Sequence, residues 1–189
     1  MVTKDVDRAT ARFLAASDRI RHGLVVQRER LLSAERSAPK LFKGTAEQIT
    51  DLTAQFENDL DYYIYEMGRL RALVKSMLRP FGFPEEVDEA LQTFDACVPN
   101  LVRIRDARTH PADTDRLDRI GTFIAAVELH PDGSVTYLVD PRHRHHEAAL
   151  ALLDVVQNYL RRNLRDRIAD DPAKPLEEQI RERNSQGTF

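Results

Sequence analysis

The chain has 189 residues, of which 42% are hydrophobic and 31% charged, with a formal net charge of −3. That is enough chain for one domain with a sizeable core. No run of about 18 apolar residues provides a membrane span. The start, MVTKDVDRAT, lacks the apolar stretch of a secretory signal, and the single Cys97 excludes a disulfide framework, so a cytoplasmic setting is expected.

The first helix is expected over residues 4 to 36. Val6, Phe13 and Ile20, with Leu14, Leu24 and Leu31 beside them, mark one helical face, and Ser37–Pro39 should end it. Thr45 and Gln48 then form a capping sequence. From there Ile49, Phe56, Tyr63, Leu70 and Met77 recur every seventh residue, with Leu52, Leu60, Met67 and Val74 in the same seam. Such a stripe belongs to a long helix packed lengthwise in a bundle. Pro80 and Gly82 should stop it.

Pro84 suits the first turn of the next helix, whose apolar positions are Val87, Leu91, Phe94, Val98 and Leu101. Pro99 lies inside this pattern and should kink or divide it, because proline removes a backbone donor. Pro111 sets its end. Residues 122–139 then change to strand alternation around His130-Pro131-Asp132-Gly133, a turn sequence, so a β-hairpin is expected that leans on the bundle or on a second subunit. A last helix follows from about Arg144, with Ala149, Leu152, Leu153, Val156, Leu160 and Leu164 on one face. The predicted fold is therefore mainly α: an antiparallel bundle of about four helices with one β-hairpin inserted before the last. Residues 1–168 form one domain, and 169–189 a polar, mobile tail.

The segment Asn100 to His110 carries the chemistry. Continuing the stripe of Val98 and Leu101 places Arg105 on the same face, with Arg108 close to it. A guanidinium at the end of a core stripe needs a partner, an anion or a water-filled cleft. His110 stands where the helix should release the chain before Pro111, which lets its imidazole turn back toward Arg105. An arginine can bind a phosphodiester oxygen and stabilise developing charge, and an imidazole titrating near neutrality can move a proton. No metal is required.

Arg105-Asp106-Ala107-Arg108-Thr109-His110 resembles the motif of the HEPN superfamily, helical bundles with an Arg, a polar residue after it, and a His four to six residues on. Arg103 also fits by spacing, although Ile104 after it does not suit the pattern. The resemblance in architecture spans roughly residues 45 to 165. It implies a metal-independent endoribonuclease without cofactor, its RNA substrate cut where two motifs meet across a homodimer cleft. Arg105 would stabilise the phosphate, His110 would act on the 2′-hydroxyl or the leaving oxygen, Asp106 would orient one of them, and Arg108 and Arg103 would bind substrate. Relatives of this kind serve as toxins or antiviral effectors held in check by an antitoxin or defence-system partner. In one branch the partner modifies a tyrosine two residues beyond the His; here that position is Ala112, which puts that control in doubt. The alternative is a non-catalytic helical module for protein interaction or nucleotide binding, with Arg105 serving the helix end.

Three further clusters stand out. His143, His145 and His146 with Glu147 lack the spacing of a metal site and read as a solvated helix entrance. Arg161, Arg162, Arg165 and Arg167 read as a solvated basic face interrupted by Asp166. Tyr63 belongs to the seam, and Tyr62 and Tyr65 read as core or dimer interface, with a base-stacking platform as the other option.

Overall fold

The computed structural model describes residues 2–41, 45–82, 84–99, 101–102, 104–105, 126–129, 135–142 and 144–170. The protein is a mainly α bundle. Its elements are α1 (Val2–Leu41), α2 (Ala46–Phe81), α3 (Glu85–Cys97), a hairpin of β1 (Ala126–Leu129) and β2 (Val135–Val139), and α4 (Arg144–Asp170). Among the described residues no helix is long and apolar enough to cross a membrane.

The α2 helix forms as its sequence dictates. Thr45 has extended backbone; its side chain accepts from the Gln48 N–H at 3.3 Å, and the Gln48 side chain accepts from the Thr45 N–H at 3.0 Å. Both halves of the capping box are thus made. Phe56, Tyr63, Leu70 and Met77 are all buried, as are Leu60, Met67 and Val74. The helix ends at Gly82, whose φ of 76° and ψ of −166° lie in a region that is essentially glycine-only.

Polar pairs fix how α1 lies on α2. Gly23 abuts Glu66, and seven residues later Arg30 pairs with Asp59, seven residues earlier on α2. The two helices therefore run antiparallel. The α4 helix packs antiparallel on α1 in turn: Arg21 pairs with Asp154, and the buried Gln157 amide donates to Ser17 Oγ at 3.0 Å and Asp18 Oδ1 at 2.9 Å. Glu86 of α3 meets Arg162 of α4, and Arg71 of α2 grips Asp95 of α3 with Nε and Nη2 at 2.7 and 2.8 Å.

The α1 helix outruns its expected end and continues past Pro39 to Leu41. A proline removes one ladder bond without forbidding the rest of a last turn. Pro84 is the N-cap of α3 rather than its first turn, and its carbonyl accepts from Val87 and Asp88. Three acidic residues, Glu85, Glu86 and Asp88, then fill the first turn, where the free N–H groups favour negative charge. Pro99 does divide the next stretch. Val98 leaves the helix at φ −123°, ψ 66°, and helical backbone resumes at residue 101.

The hairpin strands pair antiparallel, with Val127 opposite Tyr137 and Leu129 opposite Val135, and the register is irregular between Ala126 and Val127. Leu138 and Val139 at the end of β2 are buried in the same core as the helices, so the hairpin leans on its own bundle. The turn expected at His130–Gly133 lies outside the described residues, as do residues 171–189 of the tail expected from 169, whose first two residues instead continue α4.

Candidate functional site

Arg105 stands on the turn that follows the division at Pro99. Leu101 and Ile104 are buried at 3% and 1% exposure and root that turn in the core. Arg105 comes next on the same side and is partly buried. Its stem crosses α2 at Gly68: a Cβ placed on that glycine would stand 3.1 Å from Arg105 Cδ and 3.8 Å from Nη1. Asp106, Arg108 and His110, and also Arg103, lie outside the described residues. Of the expected site, Arg105 alone can therefore be located, and it lies against the long helix.

Around Gly68 the surface of α2 is rich in arginine. Arg71, one turn further on, is held charged chiefly by its hydrogen bonds to Asp95, against the opposing effect of burial. Arg69 takes Glu66 at 2.8 Å, and its guanidinium sits 5.8 Å from the centroid of the Tyr65 ring, within reach of a cation–π contact. Tyr65 and Tyr62 are 50% and 61% exposed, so within one chain they are not core. Tyr63 is fully buried, as its place in the seam requires.

The histidine cluster corrects the expectation of a solvated helix entrance. His145 and His146 are buried, at 3% and 7% exposure, while His143 lies outside the described residues. The reason is helical geometry. Stepping back four and three residues from the buried Ala149 lands on His145 and His146, so the apolar face of α4 runs through both. That signal was available in the sequence.

The two imidazoles do different jobs. His145 Nδ1 accepts the Asp140 backbone N–H at 2.7 Å, which ties the end of β2 to the first turn of α4. His146 Nδ1 lies 3.1 Å from Tyr63 Oη, with the rings stacked at 6.1 Å. Burial pushes His146 down to about 4, helped by the Arg28 charge and opposed by Glu29. Burial likewise holds the Tyr63 phenol well above its ordinary value. Both groups are therefore neutral at physiological pH. Close by, Arg142 binds the Asp140 carboxylate at 2.7 Å and Glu35 at 3.2 Å, and Arg28 Nε donates to the Pro141 carbonyl at 2.8 Å. This cluster is a clasp that joins hairpin, α1, α2 and α4.

Comparison with protein-family models, curated proteins and solved structures returns no match. What the site can do is therefore argued from its own residues. Among the described residues no group of three or more His, Cys, Asp or Glu side chains could hold a metal ion. On α4, Arg161 and Arg165 are exposed, and Arg162 is engaged with Glu86. At these three arginines the helix face is solvated, as the sequence suggests.

Proposed function

We propose that the chain is a HEPN-like, metal-independent endoribonuclease. It cuts RNA in a cleft shared by two copies, as a cytoplasmic toxin or phage-defence effector under a partner's control. The observation that carries this reading is the seating of Arg105: a guanidinium at the head of an Arg-x4-His segment, rooted by Leu101 and Ile104 and packed against α2 at Gly68. A preorganised arginine of this kind suits a charge that develops on phosphate oxygens.

In the proposed reaction the ribose 2′-oxygen attacks the adjacent phosphorus, and the bond to the 5′-oxygen breaks. The products are a 2′,3′-cyclic phosphate and a 5′-hydroxyl. His110 of one copy takes the 2′-hydroxyl proton, and His110 of the other delivers one to the leaving oxygen. Arg105 holds a non-bridging oxygen, Asp106 orients its neighbours, and Arg108 and Arg103 bind the strand. All atoms and protons balance without an external reagent.

The test is cleavage of a mixed transfer-RNA and single-stranded RNA pool in EDTA. Wild type should cut, and His110→Ala should not. Arg105→Ala should lose on the order of 10² to 10³ in kcat, the usual loss when one transition-state donor is removed. Sedimentation should show a dimer. A folded dimer that cuts nothing refutes the enzyme and leaves the second reading, a helical interaction module. That reading is favoured by the exposed Tyr62 and Tyr65.

A further inference from the structure

Glycine in the interior of a helix is unfavourable relative to alanine, because it orders a freer backbone for no side-chain packing. Gly68 sits in the middle of the 36-residue α2, is buried, and has no positive φ to excuse it. What it supplies is room. The stem of Arg105 crowds the position a β-carbon would take, with Cδ 3.1 Å from it, Nη1 at 3.8 Å and Cγ at 4.0 Å.

We propose that Gly68 is a positioning residue for Arg105. The missing side chain makes a seat in which the stem and one guanidinium nitrogen close on α2, and this fixes where the guanidinium sits. The catalytic consequence rests on the ribonuclease reading; the contact itself does not. The neighbours of the seat are themselves fixed. Arg71 is one turn away and held by Asp95, and Arg69, next along α2, is held by Glu66. Arg71, on the same side of α2 as Gly68, is thus anchored beside the stem of Arg105.

Gly68→Ala forces Arg105 Cδ outward by a few tenths of an ångström, and the head beyond it moves further. An ångström-scale misplacement costs on the order of a hundredfold in rate, so this smaller one predicts a loss of about tenfold in kcat with KM little changed.

The molecule contains its own control. Gly23→Ala makes the same chemical change on α1, where a new Cβ would meet Glu66 Cδ at 3.0 Å, an equally tight contact without Arg105. Because Glu66 also holds Arg69, its readout is the unfolding midpoint, which should shift by the same amount with and without the Arg105 side chain.

The experiment is a double-mutant cycle on the full chain, using wild type, Gly68→Ala, Arg105→Ala and the double variant, read by unfolding midpoint and by RNA cleavage. With the stem removed, Gly68→Ala should raise the midpoint as helix propensity dictates; with Arg105 present, it should raise it less or lower it. In cleavage, Gly68→Ala should add no loss in the Arg105→Ala background. An equal midpoint gain in both backgrounds overturns the seat, whether or not RNA is cut. A coupled midpoint in a wild type that cuts no RNA overturns the ribonuclease reading, and the catalytic use of the seat with it, while the contact stands.

Discussion

Lowering the pH should strain the clasp at one identifiable atom. His146 is buried at 7% exposure against Tyr63, and its pKa is pushed from 6.5 to about 4, chiefly by burial. In the unfolded chain the imidazole titrates at its ordinary value. Between the two pKa values the unfolded state binds a proton that the folded state does not, so stability falls as pH falls. Well above pH 6.5 both states are neutral and nothing is lost. Linkage gives a loss of about 1.4 kcal/mol at pH 5.5 and about 2.5 kcal/mol at pH 4.5. With a urea slope of about 2 kcal/mol per molar, the second figure moves the midpoint by about 1.2 M. Carboxylates and other histidines titrate in the same range, so the measurement compares wild type with His146→Asn, which keeps a short polar group and loses the titration. The variant should start less stable at pH 7.5 and lose less on acidification, by about those amounts. Parallel pH profiles for the two proteins would refute the argument, as would an imidazole that NMR finds titrating near 6.5 in the folded state.

Two other substitutions probe features away from the clasp. Gly82→Ala should destabilise the chain by about 1 to 3 kcal/mol in urea unfolding, although nothing lies within 4 Å of the new methyl group, because the backbone at φ 76° and ψ −166° excludes a β-carbon. Gln157→Leu keeps the volume but removes the amide that donates to Ser17 and Asp18, and should cost about 1 to 3 kcal/mol by thermal unfolding.

The helical architecture is legible in the sequence because each signal is local. The α2 seam reads directly from residues seven apart, its start from Thr45 and Gln48, and the break after α3 from Pro99. The last turn of α1 is not, because a single proline costs one bond and the survival of the helix depends on the residues around it. His145 and His146 mislead for another reason. Histidine looks polar in composition, and only the phase of Ala149 and Leu152 shows that both fall on the inner face. The seat for Arg105 cannot be read from sequence at all. A lone glycine in a helix says that something approaches, and the identity of the visitor depends on how a segment some forty residues away is folded back.

The position of α4 also bears on how the molecule is made. Its main partners are α1 and α3, and its ties to Arg21, Ser17 and Asp18 span more than 130 residues of chain. As the ribosome delivers the chain, α1 and α2 can pair early, since their contacts need only a short connection. The surfaces of α1 and α3 that α4 covers then wait until residues 144–170 emerge. A nascent chain stalled before that point would display a long apolar trough, which is the kind of surface that chaperones bind and that aggregation exploits.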